Sequence, residues 1–175
     1  MHTLYPATFG QAIDEARLMY EKAETLKYDL GIALSNTAIG DAYYCSNMTE
    51  EAANAYKEAI LHPVSSSEGN YYKEMAMLHL KEIFIREHNS EEAESYREML
   101  LKSDAMHTNQ TILFFHYCSD VAYYIMTGES QKAQDSFLEV EKIYHSCKEP
   151  YYYSPFLCSQ GLYNETIGKN ELALL

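Results

Sequence analysis

An alanine returns at nearly even intervals along this chain, at Ala12, Ala52, Ala93, Ala133 and Ala173, with separations of 40, 41, 40 and 40 residues. A repeat of that length is one supersecondary unit that cannot bury its own apolar face, so successive copies must stack to make a core. A local pattern surrounds each alanine. Three residues before it stand Thr49, Ser90, Ser130 and Asn170, whose side-chain oxygens can accept from the free N–H groups of a first helical turn, so each is expected to cap a helix. The first copy departs, with Phe9 in that place and Thr8 beside it. Glu50-Glu51 and Glu91-Glu92 follow the caps and set negative charge at the positive end of the helix dipole. Five residues before the alanine lie Asn47, His88, Gly128 and Gly168, where a tight connection between helices needs left-handed backbone angles. Nine before it lie Tyr43, Phe84 and Tyr124, with Asn164 in the last copy. Four after it lie Ala16, Tyr56 and Phe137, with Arg97 as the exception. These rings are expected to pack.

Each unit therefore reads as helix A, a tight turn, helix B and a loop to the next helix A. Units are expected over 1–27 in part, 28–66, 67–106, 107–148 and 149–175 in part, forming one domain. The helices are drawn at about 11–27, 28–45, 50–61, 71–87, 91–103, 108–126, 131–145 and 155–167. Proline and small polar residues interrupt the pattern at 63–70 and 148–150. Seven glycines and four prolines supply few turns for 175 residues, which argues for an all-α chain, and 47% apolar residues suffice for a core without disulfides or metals. The apolar segment 171–175 makes a poor end cap, so the chain is expected to be a piece of a longer protein.

Ile39, Gly40 and Tyr43, then Ala52, Tyr56 and Ala59, match L-G-x-x-Y followed by A-x-x-x-F-x-x-A, and on these residues the chain resembles the tetratricopeptide repeat (TPR) family. Asn36 stands where that family usually has tryptophan, Pro63 comes one residue before the closing proline position, and the later units keep the ring, the turn residue and the alanine. The period exceeds the usual length of about 34 residues, as in the extended TPR variants of bacterial sensors. The resemblance implies a right-handed α-α superhelix, a TPR-like solenoid of about four helix-turn-helix units, whose A helices line a concave groove for a peptide or protein segment. Carried onto this chain, the groove positions are Leu34, Thr37, Asp41 and Tyr44, then Met75, Leu78, Glu82, Ile85 and Arg86, then Phe115, Cys118, Ala122 and Met126. Methionines there could adapt to several partner shapes. The competing reading has some of these residues packing against the next helix B or a further unit. The basic and asparagine clamp of TPR cochaperones is not reproduced. The units also look like those that precede output domains in bacterial signalling proteins, so a sensory or regulatory scaffold is expected. Self-association through the groove and the open helical end, giving a homodimer, is the alternative.

Other classes find little support. The 13 Lys and Arg against 26 Asp and Glu give a charge of −13, which would repel a phosphate backbone, so no direct nucleic-acid contact is expected. No stretch approaches the roughly 18 apolar residues of a membrane span, and the first ten residues lack a signal pattern, so membrane insertion is not expected and a cytoplasmic location is. Cys45, Cys118, Cys147 and Cys158 form no C-x-x-C pair and read as buried thiols. The N-x-T triplets at Asn47, Asn109 and Asn164 read as chance. No nucleotide, metal or acyl-transfer motif occurs, so no cofactor or enzymatic activity is expected. His79 and His116 read as packing or surface residues rather than ligands or bases, and Cys118, two residues beyond His116, falls on another helix face. Seventeen tyrosines, several adjacent as in Tyr43-Tyr44 and Tyr71-Tyr72, suit half-buried places where the hydroxyl stays wet. Structural roles are expected for most of them, and Tyr44 and Tyr72 are the candidates for the groove.

Overall fold

In a computed structural model of the protein, which describes residues 5–64, 66–103, 105–147 and 149–168, helices are the regular structure and no strand occurs among those residues. They are α1 (Tyr5–Leu26), α2 (Asp29–Cys45), α3 (Thr49–Leu61), α4 (Ser67–Arg86), α5 (Ser90–Leu101), the short α6 (Ala105–Thr108), α7 (Gln110–Met126), α8 (Ser130–Cys147), a 3-10 turn at Pro150–Tyr152, and α9 (Tyr153–Thr166). None of these helices is long and apolar enough to cross a membrane.

The repeat is built at the joints between helices. Between α2 and α3 the Met48 N–H donates to the Tyr43 carbonyl at 2.9 Å and the Asn47 N–H to the Tyr44 carbonyl at 3.0 Å, while Asn47 has φ of 60°. Between α4 and α5 the pair is Asn89 to Phe84 at 2.9 Å and His88 to Ile85 at 3.1 Å, with His88 at φ 56°. Between α7 and α8 it is Glu129 to Tyr124 at 2.8 Å and Gly128 to Ile125 at 3.1 Å, with Gly128 at φ 78°. This crossed pair closes the last carbonyls of a helix around one left-handed residue, the Schellman arrangement. The residue after the left-handed one then becomes the first acceptor of the next helix. Its carbonyl receives the N–H of Ala52, Ala93 or Ala133 at 3.0, 3.1 and 3.0 Å. The recurring alanine thus carries the first N–H bond of each B helix, and in all three it is fully buried.

Several expectations need correction. Thr49, Ser90 and Ser130 are the first residues of their helices rather than the caps. The cap lies one residue earlier, at Met48, which offers no side-chain bond, and at Asn89, whose side chain accepts from the Glu92 N–H at 3.3 Å. Ala12 is exposed inside α1, which already runs from Tyr5, so this alanine does not open its helix; Ala16 and Ala23 are buried instead. Asn170 and Ala173 lie outside the described residues. The expected break between the helices drawn at 11–27 and 28–45 is also a left-handed joint, at Lys27 with φ of 52°, its neighbour Tyr28 donating to the Ala23 carbonyl at 2.8 Å. Helix α4 starts earlier than expected because the Ser66 Oγ accepts from the Gly69 N–H at 3.0 Å, and Gly69 has Val64 Cγ1 only 2.6 Å from where a Cβ would stand. Of the cysteines, Cys45 and Cys158 are exposed and only Cys118 and Cys147 are partly covered.

The chain divides into two compact units, Met1–Ile83 and Phe84–Leu175. In the first, many residues buried on α1, α2 and α3 are small, among them Ala16, Ala23, Ala33, Ala42, Ala52, Ala55 and Ala59, with Ile39 packed against Ala16 and Ala55 and Tyr56 fully buried. In the second, Phe114, Val121, Phe137, Val140, Ile143, Tyr152 and Phe156 form an aromatic core. Phe114 stacks on Tyr152 with centroids 4.0 Å apart, and Tyr144 on Phe156 at 4.2 Å. Ile85, Ala93, Tyr123, Tyr124 and Ala133 form another cluster there, which accounts for one adjacent tyrosine pair.

Candidate functional site

Three of the expected groove residues converge in the first unit. Asp41 and Tyr44 are three apart on α2, and Glu82 lies three beyond His79 on α4, so each pair shares a helix face. Between them stands His79. Its Nε2 is 3.5 Å from Asp41 Oδ1 and its Nδ1 3.5 Å from Glu82 Oε2. The His79 ring stacks on Tyr56 with centroids 5.1 Å apart and an interplanar angle of 22°, and the Tyr44 ring lies 6.0 Å away. The Tyr56 O–H donates to Asp41 Oδ1 at 2.8 Å. Gly40 makes this possible, since any side chain there would strike the Tyr56 ring. Asp41 is about half exposed (52%) and Glu82 about a third (32%), so the carboxylates line an opening rather than a sealed core.

The electrostatics follow from that arrangement. Burial alone would lower the His79 pKa; the close approach and charge of Glu82 and the charge of Asp41 outweigh it and hold it above the usual value. Burial first, and then the Asp41 charge, push the Tyr56 hydroxyl far above the ordinary range. The His79 nitrogens point to opposite sides of the ring, so Asp41, His79 and Glu82 do not converge on one point. No group of three or more His, Cys, Asp or Glu side chains among the described residues is arranged to hold a metal ion. What the cluster offers is two partly exposed carboxylates beside the Tyr44 ring, groups whose chemistry suits a lysine or arginine side chain.

The remaining expected positions fall elsewhere. Thr37 and Leu78 are buried, at 5% and 1% exposure, and are core residues rather than contact residues. The Thr37 hydroxyl is taken by the Ala33 carbonyl at 2.9 Å, with the Tyr72 carbonyl at 3.5 Å. Leu34 and Met75 are half-buried. In the second unit Arg86 is exposed, whereas Phe115 packs edge-on against Phe114 at 5.5 Å and Tyr152 at 6.2 Å. Cys118 packs on the aromatic core, and Ala122 and Met126 on the cluster around Ala133, which Ile85 joins as a buried member.

A second polar cluster went unread in the sequence. Arg97 Nε donates to both oxygens of Asp120 at 3.2 Å and its Nη1 to Glu94 Oε1 at 3.2 Å, and the buried His116 Nε2 faces Asp120 Oδ2 at 3.3 Å. The guanidinium lies 5.1 Å over the Tyr124 ring, and the Lys132 ammonium, paired with Glu129, 5.3 Å from the same ring. Arg97, Asp120, Tyr124 and Lys132 border a shallow cavity of about 300 Å³ with Tyr117, Asp135, Ser136 and Glu139. Burial and a hydrogen bond with Glu94 push the neighbouring Tyr123 hydroxyl up to about 12. Arg97 and Asp120 here satisfy each other. The signal in the sequence was the exception itself: a cation at a ring position of the repeat needs a carboxylate.

No family model, curated protein or solved structure matches this chain.

Proposed function

We propose that the chain is a non-catalytic binding module of the TPR kind, a right-handed solenoid that holds a peptide or protein segment as the sensory or regulatory part of a larger bacterial signalling protein. The observation that carries this reading is the joint repeated at Asn47, His88 and Gly128, each followed by a buried alanine that opens the next helix. Stacked hairpins with such joints present side chains along one face instead of enclosing a pocket. Asp41, Tyr44 and Glu82 supply the recognition chemistry, and the segment held there is one with a lysine or arginine. The reading takes the protein as cytoplasmic, and its charge of −13 supports a cationic partner over a nucleic acid.

Selection of displayed random peptides against the full chain tests it. Enrichment of lysine- or arginine-bearing peptides, with affinity reduced at least about tenfold in Asp41→Asn/Glu82→Gln, is the expected result. No enrichment, or equal binding by the double variant, overturns it. Leu26 and Leu61, 75% and 73% exposed, favour self-association as a second reading, and a dimer by light scattering at micromolar concentration would support that one instead.

A further inference from the structure

Both nitrogens of the His79 ring face carboxylate oxygens, Nε2 toward Asp41 Oδ1 and Nδ1 toward Glu82 Oε2, each at 3.5 Å. An ionised carboxylate only accepts, and a neutral imidazole carries one N–H and one lone pair. Neutral His79 must therefore turn a lone pair toward one of the two carboxylates, while the imidazolium offers a donor to each. The other groups around the ring favour the cation as well. From α3 the Tyr56 ring stacks on it at 5.1 Å, and from α2 the Tyr44 ring lies 6.0 Å away, both aromatic faces that attract positive charge. The Tyr56 hydroxyl is already committed to Asp41 Oδ1 at 2.8 Å, so it is no substitute donor for the imidazole. Glu82, on its own helix, and Asp41, on α2, both act on the ring with negative charge.

We propose that Asp41, His79 and Glu82 form a proton-operated latch that ties α4 to the α2–α3 pair, closed while His79 is protonated and released when it loses its proton. A histidine stabilised as the cation in the folded state contributes fully below its unfolded value of about 6.5, and the contribution is lost as pH rises through the higher folded value. The latch thus opens on the alkaline side of neutrality. Opening leaves two carboxylates beside the tyrosines with no cation between them.

The test uses the full chain and needs no partner. Long-range proton–nitrogen NMR spectra follow the imidazole, with the His79 signal assigned by its loss in His79→Gln. The expected titration midpoint lies above about 6.5 and moves down in both Asp41→Asn and Glu82→Gln. The melting temperature of the wild type should exceed that of His79→Gln most at about pH 5.5, with the gap narrowing by a few degrees toward about pH 8.5. If His79→Gln does not fold, the histidine signal that moves in both carboxylate variants identifies the residue. A midpoint at or below about 6.5, a gap that stays flat with pH, or no histidine signal that responds to both carboxylate changes overturns the latch.

Discussion

Replacing Gly40 with alanine would set a methyl group 2.5 Å from Tyr56 Cε1, 2.6 Å from Cδ1 and 2.9 Å from Cζ. Separations that short force a displacement, and the ring has little freedom to make one. Tyr56 is fully buried, its hydroxyl is held by Asp41 at 2.8 Å, and His79 stacks against it. Over-packing of this kind costs about 1–3 kcal/mol, and three overlaps on one rigid ring argue for the upper end. Alanine in place of a helical glycine returns about 1 kcal/mol. The net expectation is a loss of about 2 kcal/mol, or about 4–8 °C in melting temperature for a chain of this size. Gly10→Ala is the control, because nothing lies within 4 Å of its added methyl, so only the backbone gain of about 0.5–1 kcal/mol remains. Thermal and urea melts followed by circular dichroism read both. On a Tyr56→Leu background, which removes the ring, the Gly40→Ala penalty should fall below about 0.5 kcal/mol. If Gly40→Ala is as stable as Gly10→Ala, or costs the same with leucine at position 56, the ring does not occupy the space the argument assigns to it.

The other expectations use the same melts. Gly128→Ala, at φ 78° with open space around it, should lose about 1 kcal/mol to backbone strain alone, while His88→Gly, which relieves φ of 56°, should be neutral or slightly stabilising; the reverse order would refute the joint geometry. Arg97→Met takes the guanidinium from the buried Asp120 carboxylate, which keeps its contact with His116, and should cost up to about 3 kcal/mol. Arg97→Phe combined with Asp120→Leu, which restores the apolar types of the other units, should recover most of that loss, and a double variant as unstable as Arg97→Met would show that the pair is needed for more than mutual neutralisation.

The joints were legible because a left-handed residue, a ring carbonyl before it and an alanine after it form one short local device, and local devices leave fixed spacings in sequence. Asn47, His88, Gly128 and Gly168 all take positive φ. What misled was the step from spacing to role. Serine and threonine three before the alanine read as caps, yet the crossed bonds of the joint already make the preceding residue the first acceptor, so Thr49, Ser90 and Ser130 start the helix instead. Lys27 gave no warning, since lysine carries no preference for left-handed angles; there the hydrogen bonds of Tyr28 and Lys27 to α1 decide. Ser66 and Gly69 looked like a loop because a cap and a close backbone approach use the residues that loops use.

The two polar clusters occupy the same place in the repeat, which no single copy could disclose. The residue four after the alanine, on a B helix, packs on the next A helix 13 or 14 residues before the following alanine. Tyr56 meets His79 in this way, and Arg97 meets Asp120. In the next copy Phe137 lies 6.2 Å from Phe156 and 4.9 Å from Tyr163, rings on either side of the corresponding position of α9. Asp120 therefore stands where the earlier units have Ile39 and Leu80, both buried. A charge at such a position is tolerable only with a partner, and the repeat register supplies one at the position of Arg97. His79 was harder to read, because histidine on an apolar helix face usually packs. Its role depends on Asp41, which fills an unspecified position of the L-G-x-x-Y motif, and on Glu82 one turn further along its own helix, and the three meet only once α2 and α4 are brought together across α3. Where the copies keep apolar residues the junction is core. Where they substitute polar ones it becomes an ion pair in one unit and, in another, a half-open cluster whose charge depends on a single proton.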